Sequence, residues 1–336
     1  MLIDASINSA STMSDSSARS ELSRANPRDE VELVDTHAHL NFNAFKDDAD
    51  EVIRRCLNEG VWMINVGSNL ETSKKAVEIA QKYPNGIFVS VGLHPINLDT
   101  GLVKMKPDEV EGINYEREFE YEKYKELAKQ KKVVAMGEIG LDYYWRPKTT
   151  AKKELFKQKQ KDLFLEELKL AEELNLPVIF HCRMAHDDLI NIISEQLKNN
   201  NKQIRGVIHC FTGTWEQAKK YMEMGLALGF NGLIFKLDFK DIIQKTPLER
   251  ILIETDCPYL SPPATLRKRP ACNDSISGRA CSRSDAGGTS PENNTNYRNE
   301  PIFVKYIAKE IAKIKNIKFK EVFKITTQNA KELFGI

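Results

Sequence analysis

The sequence predicts an α/β protein built on a closed, TIM-like (β/α)8 barrel in a single domain. From Val31 onward, short apolar runs rich in Val and Ile alternate with longer charged stretches of helical composition, the pattern of a parallel sheet wrapped by helices. There are eight such runs, the number at which this arrangement closes on itself. A chain of 336 residues is long enough for one barrel with insertions.

The candidate strands are four to six residues long and are spaced along the whole of this region. They are residues 32–36, 62–66, 87–91, 133–138, 178–181, 207–210, 226–230 and 251–255. Two amphipathic helices at 301–314 and 319–334 are predicted to close the domain, which spans 31–336.

Three segments depart from the repeat. Residues 1–30 are rich in Ser and lack apolar periodicity, so we expect a disordered tail. Its acidic residues argue against an organelle transit peptide. Residues 108–126, acidic and rich in Tyr, are predicted to form an insertion. Residues 262–297, rich in Pro, Ser, Gly and Asn, are predicted to form a second, flexible insertion.

Composition narrows the class of protein without selecting a substrate. The net charge is +1, so binding to a nucleic acid would depend on a local groove or on metal ions. Six scattered cysteines without disulfide-domain spacing favour a reducing compartment. No apolar run approaches the roughly 20 residues that cross a bilayer. We expect a cytoplasmic monomer without a membrane span or an obligate protein partner, with the nucleus as the alternative location.

Side chains that can bind metal ions fall at the carboxyl ends of the candidate strands, where barrel active sites are built. The first strand leads into His37 and His39, which are two residues apart and face the same side of an extended chain. The others end the fourth, fifth, sixth and eighth strands: Glu138, His181, His209 and Asp256. Four of the six histidines of the chain lie at these points, and we expect all six side chains to converge on one metal site.

Four imidazoles and two carboxylates are too many ligands for one catalytic ion that keeps an open position, but they suit two ions. In the simplest partition, one ion is bound by His37, His39 and Asp256 and the other by His181 and His209. Glu138 bridges the two ions. Oxygen ligands mixed with imidazole suit Mg or Mn, with Zn as an alternative.

Six stretches resemble the motifs of the TatD family of metal-dependent deoxyribonucleases, in order, from about residue 31 to the C-terminus. They are Asp35-Thr36-His37-Ala38-His39, Gly92-Leu93-His94-Pro95, Gly137-Glu138-Ile139-Gly140-Leu141-Asp142-Tyr143-Tyr144, Gly206-Val207-Ile208-His209-Cys210-Phe211-Thr212-Gly213, Glu254-Thr255-Asp256-Cys257-Pro258-Tyr259-Leu260 and Arg298-Asn299-Glu300-Pro301. The link before the last motif is longer than is usual in the family.

The resemblance implies a TIM barrel that hydrolyses phosphodiester bonds in DNA, usually as an exonuclease working from the 3′ end. It implies the six ligands named above and marks His94 and Arg183 as substrate-binding residues. In the mechanism that we expect, a water activated by two metal ions attacks phosphorus, Glu138 holds the ions together, and Asp256 accepts the proton. Single-stranded or frayed DNA is the expected substrate, and endonucleolytic cutting stays open.

Two other functions are compatible with such a barrel. The first is a small-molecule metallohydrolase acting on esters, lactones or amides, because fold does not settle function. The second is a non-catalytic scaffold descended from an enzyme, which complete sets of ligands argue against.

Overall fold

The computed structural model describes residues 33–103, 114–200, 203–266 and 298–336. In these residues, eight parallel strands form one sheet, and each strand pairs with the next along the chain. The strands are Leu33–Ala38 (β1), Val61–Val66 (β2), Ile87–Val91 (β3), Val133–Asp142 (β4), Val178–Arg183 (β5), Gly206–Ile208 (β6), Ala227–Phe230 (β7) and Ile251–Ile253 (β8). The predicted (β/α)8 barrel is confirmed.

Helices connect the strands and cover the outside of the sheet, as right-handed parallel connections require. They are Ala49–Asn58 (α1), Leu70–Gln81 (α2), Tyr121–Ala128 (α3), Thr150–Glu173 (α4), His186–Asn200 (α5), Trp215–Glu223 (α6), Lys240–Lys245 (α7), Val304–Lys315 (α8) and Phe319–Phe334 (α9). A short 3-10 helix, Pro95–Asn97, follows β3.

The first and last strands meet and bring the barrel close to closure. Ala38 forms a parallel bridge with Cys257. The backbone N–H of His39 donates to the carbonyl of Cys257 at 2.9 Å, and that of Asp256 donates to the carbonyl of His37 at 2.8 Å. The ends of β1 and β8, which carry three predicted ligands, are therefore held side by side.

A small apolar core fills the inside of the barrel. It includes one or two side chains from each of six strands: Val34, Ile64, Val66, Ala135, Ile179, Val207 and Leu252. Residues two apart in a strand face the same side, so His181 follows Ile179 and His209 follows Val207 on the interior face. The strand pattern thus places imidazoles directly above the core.

The predicted C-terminal helices are confirmed as α8 and α9, which are separated by Asn316 in a left-handed conformation with φ of 54°. Ala330 and Phe334 of α9 pack against the interior core. The last helix therefore closes the amino-terminal end of the barrel, opposite the predicted site. None of the described helices is both long and apolar enough to cross a membrane.

Several predicted boundaries are wrong. β4 runs four residues further than predicted, to Asp142. The predicted strands 207–210 and 251–255 end early because Cys210 and Asp256 adopt φ values of 46° and 55°, which an extended strand cannot contain. The predicted insertion 108–126 includes most of α3, which packs on β3 and β4. Of the other predictions, the tail 1–30 and most of the second insertion lie outside the described residues.

Candidate metal centre

The predicted site residues come together at the carboxyl ends of the strands, around a cavity of about 450 Å³. Seven of the eight line this cavity: His39, His94, Glu138, His181, Arg183, His209 and Asp256. The eighth, His37, is fully buried, with Nε2 3.1 Å from Nε2 of His39. The structure therefore groups residues that are more than 200 positions apart in the sequence.

A buried carboxylate holds the ends of β1 and β8 in register. Asp35 accepts hydrogen bonds from the N–H of Thr255 at 2.8 Å, from its hydroxyl at 2.5 Å, and from the N–H of His37 at 3.2 Å. Burial raises the pKa of Asp35 to about 8, although these hydrogen bonds oppose the shift. The hydrogen bonds of Asp35 therefore hold the backbone around the ligands. Among the described residues, no imidazole contacts the Asp35 side chain.

Two of the imidazoles are oriented by their Nδ1 atoms. Nδ1 of His39 donates to the carbonyl oxygen of Val66 at 2.9 Å, which leaves the lone pair of Nε2 facing the site. Nδ1 of His209 lies 3.0 Å from Oε1 of Glu254, so its Nε2 also faces inward. Burial would lower the pKa of His209, but Glu254 and Glu138 raise it to about 10. A carboxylate or carbonyl behind an imidazole is the usual support of a metal ligand.

Glu138 occupies the centre of the site. Its Oε2 lies 3.3 Å from His37, and its Oε1 lies 2.5 Å from Nδ1 of His181 and 3.7 Å from Nε2 of His209. Burial alone would raise the pKa of Glu138, but four surrounding imidazoles outweigh it and hold the pKa well below its usual range. The ionised carboxylate faces imidazoles with both oxygens, an arrangement that suits a carboxylate shared by two ions.

Asp256 faces the same group of imidazoles from the end of β8. Its Oδ1 lies 3.5 Å from Nε2 of His39 and its Oδ2 lies 4.0 Å from Nε2 of His209. Burial would raise the pKa of Asp256, but the contact with His39 and the nearby imidazoles of His209 and His37 lower it. The side chain is 17% exposed, so a molecule in the cavity can reach it.

Asp142 belongs to the site, although we assigned it no metal-binding role from the sequence. It is buried at the end of β4, and its Oδ2 lies 3.2 Å from Nε2 of His181. Burial would raise its pKa, but His181 outweighs this and the pKa of Asp142 falls. Strand pairing explains the omission: β4 stays paired with β5 as far as Asp142 and Arg183, whereas the predicted strand ends at residue 138.

His94 presents a hydrogen-bond donor to the cavity. Its Nδ1 accepts a hydrogen bond from the N–H of Ile96 at 3.0 Å, so in the neutral ring the proton is on Nε2. Burial and the neighbouring His181 lower the pKa of His94 to about 3, which keeps the ring neutral. Nε2 lies 3.6 Å from Oε1 of Glu138. The protonated Nε2 suits a contact with an anionic ligand better than ligation of a metal ion.

The arrangement fits divalent metal ions. Three groups of side chains each have ligand atoms within 4.8 Å of one another: His37, His39 and Glu138; His37, His209 and Asp256; His94, Asp142 and His181. The Nε2 atoms of His37 and His39 are 3.1 Å apart beside a carboxylate, and a cation would be stabilised by all three donors. The first two groups contain five of the six predicted ligands. His181, the sixth, lies against Glu138 from the other side.

The barrel and its ring of imidazoles and carboxylates define a metal-dependent hydrolase. The family model described as TatD related DNase matches residues 34–335, and the chain belongs to this family. The uncharacterized metal-dependent hydrolase YabD of Bacillus subtilis is 35% identical over 90% of this chain and 99% of its own length. The 3′-5′ ssDNA/RNA exonuclease TatD of Escherichia fergusonii is 29% identical over 90% of this chain and 99% of its own. A solved TatD-family hydrolase from Entamoeba histolytica superposes with a TM-score of 0.67 at 25% identity, covering 91% of this chain and 98% of that one.

Proposed function

We propose that this protein is a metal-dependent 3′–5′ exonuclease that hydrolyses phosphodiester bonds at the ends of single-stranded or frayed DNA. The observation that carries the proposal is the position of Glu138 among four imidazoles, at the floor of a cavity that Arg183 and His94 also line. The names of relatives such as the 3′-5′ ssDNA/RNA exonuclease TatD of Escherichia fergusonii support the choice of substrate.

The charge of the site favours an anionic substrate. Three carboxylates belong to the groups of candidate ligands, Glu138, Asp142 and Asp256, and a fourth, Glu254, lies 3.0 Å behind His209. Two divalent ions, with Mg or Mn preferred and Zn possible, would balance these four carboxylates, and Arg183 adds a positive charge that they leave unbalanced. A phosphodiester is attracted to such a site, whereas a neutral ester or amide is not.

The residues of the chain then have distinct roles. Six side chains would hold the ions, which when bound would supply Lewis-acid activation of water and stabilise charge on phosphate: His37, His39, His181, His209, Glu138 and Asp256. Asp256, ionised and reachable from the cavity, accepts the proton of the attacking water. The Nε2–H of His94 and the guanidinium of Arg183 donate to the non-bridging oxygens of the phosphate.

Digestion of end-labelled oligonucleotides tests this function. With Mg or Mn, a 5′-labelled single strand should shorten one nucleotide at a time, and EDTA should abolish the reaction. Asp256→Asn keeps the size of the side chain but removes the base, and we expect activity to fall by about a hundredfold or more. The matched control is Asp162→Asn, which alters an exposed carboxylate on α4.

Two results would overturn the proposal in different ways. Internal cuts, or release of the 5′ label first, would refute 3′–5′ exonuclease action. If metal-loaded protein left DNA intact but hydrolysed small esters or lactones in an Asp256-dependent reaction, the barrel would instead be a small-molecule hydrolase.

A further inference from the structure

One side of the mouth of the barrel combines an exposed aromatic ring with an arginine. Tyr144 follows β4 and is 48% exposed. The guanidinium of Arg183, at the end of β5, lies over its ring at 3.7 Å from the centroid. Trp145 packs edge-on against Tyr144, with ring centroids 5.0 Å apart, and fixes the orientation of the pair. An aromatic face next to a cation at the edge of a substrate cavity suits an unpaired base joined to a phosphate.

The start of α4 rises above this mouth. Gln160 exchanges two hydrogen bonds with the backbone of Asp142, at 2.8 and 2.9 Å, and this places Gln160 level with the end of β4. α4 begins ten residues earlier, at Thr150. Because a helix rises 1.5 Å per residue, its first turns project about 15 Å beyond the strand ends. They form a wall beside Tyr144.

This wall carries concentrated positive charge in a protein whose net charge is only +1. Residues 146–161 contain seven lysines and arginines and one acidic residue. Three of these cations are already engaged: Lys157 pairs with Glu154, Lys161 pairs with Asp188, and Lys159 donates a hydrogen bond to the carbonyl oxygen of Thr100. The other four form no ion pair with any residue that the structure describes, and we call them the cationic wall: Arg146, Lys148, Lys152 and Lys153.

We propose that Tyr144, which stacks against Arg183, and the cationic wall bind the part of a single-stranded nucleic acid that extends away from the metal centre. This inference rests on the proposed function and adds a path for the strand. The base next to the scissile phosphate stacks on Tyr144, and the following phosphates lie along the cationic wall. A duplex presents no free base face to Tyr144, so the same feature selects single strands.

The test compares substrates of different length. Arg146→Ser/Lys148→Ser/Lys152→Ser removes the exposed charges of the wall, and Lys318→Ser/Lys320→Ser/Lys324→Ser is the matched control around the start of α9, at the far end of the barrel. For each protein, kcat/KM is measured on a dinucleotide and on a single strand of about 20 nucleotides, long enough to span a groove of this kind. We expect the long-to-short ratio to fall about tenfold in the wall variant and to keep its wild-type value in the control.

Binding gives a readout that is independent of catalysis. In fluorescence anisotropy with metal-free protein and a labelled oligothymidylate, the slope of log Kd against log salt should decrease by about 2 in the wall variant, since each phosphate contact to a single strand contributes about 0.7. Tyr144→Leu should weaken binding fivefold or more, whereas Tyr144→Phe should retain it, because stacking needs the ring and not the hydroxyl.

The two proposals fail in distinguishable ways. If no nucleic acid is cleaved by the wild-type protein, the proposed function fails. If cleavage and its Asp256 dependence hold but the wall variant keeps both the wild-type length ratio and the salt slope, the strand follows another path and this inference is wrong. Equal binding by Tyr144→Leu and wild type would overturn the stacking role of Tyr144.

Discussion

Replacing Glu167 with glutamine tests how α4 is fixed to the barrel. Glu167 is fully buried in α4, and its Oε1 accepts a hydrogen bond from the N–H of Leu93 at 2.8 Å. Its Oε2 is buried and has no hydrogen-bond partner among the described residues. Burial raises the pKa of Glu167 well above its ordinary value of 4.5. The folded protein therefore holds a neutral carboxylic acid next to the segment that carries His94.

The magnitude follows from proton linkage. The unfolded chain releases the proton of Glu167 near pH 4.5, whereas the folded chain keeps it to a higher pH. A raised folded pKa means that this contribution to stability is present below pH 4.5 and declines as the pH rises toward the folded pKa. The decline is about 1.4 kcal/mol per pH unit. Glutamine cannot ionise, so Glu167→Gln should gain stability over wild type at that rate, starting just above pH 5.

Urea unfolding measured between about pH 5 and pH 8 gives the difference in unfolding free energy at each pH. An amide N–H at the place of Oε2, which has no partner among the described residues, would shift the whole curve by about 1 to 3 kcal/mol but would leave its slope unchanged. Glu166→Gln is the matched control, since Glu166 is the exposed neighbour on the same helix. A difference for Glu167→Gln that is independent of pH would show that the buried carboxyl is ionised, and it would refute the reasoning.

Three further changes probe stability away from the metal centre. Burial lowers the pKa of His186 to about 4, so stability that is present above pH 6.5 should be lost as the pH falls toward 4. Because glutamine does not take up a proton, His186→Gln should remove about 3 kcal/mol of this loss in urea unfolding measured at several pH values. An unchanged dependence of stability on acid pH would contradict this prediction. Gly232→Ala would place a Cβ 1.9 Å from the carbonyl oxygen of Leu260, and we expect a loss of about 2 kcal/mol or more with a lower Tm. Arg298→Lys keeps the charge but cannot reproduce the paired hydrogen bonds to Asp48, at 2.7 and 2.5 Å. We expect it to lower the unfolding free energy by about 1 kcal/mol. Equal stability of the variant and the wild type would show that the charge alone suffices.

Much of the site could be predicted because it depends on local pattern. Each strand of a parallel barrel delivers its last residues to the same end, so identifying the strands was enough to collect His181, His209 and Glu138. The spacing of two residues between His37 and His39 similarly predicted that both would face one side. Errors in strand boundaries did not matter here, because a shift of two or three residues at a strand end leaves the ligand at the mouth.

The rest of the site depends on contacts between distant segments, which a single sequence does not reveal. Asp142 lies beyond the predicted end of the fourth strand, but pairing with β5 keeps it in β4 and places it against His181. The position of the His94 proton, on Nε2, follows from the single hydrogen bond that its Nδ1 accepts from Ile96. Strand alternation places Glu254 where it could orient an imidazole or form a buried salt link, and the distance of 3.0 Å to Nδ1 identifies His209 as its partner.

The sequence by itself determined the barrel, its eight strands and the identity of the six candidate ligands, because alternation of apolar and helical segments and the residues at strand ends are properties of short stretches of chain. Tertiary structure decided how those ligands are oriented, which neighbour sets each pKa, and where charge accumulates around the mouth. The position of α4 illustrates the difference: its lysines are visible in the sequence, but only the hydrogen bonds between Gln160 and Asp142 show that the start of the helix extends beyond the end of β4. Side-chain pairing across the barrel brings together groups that local sequence cannot relate.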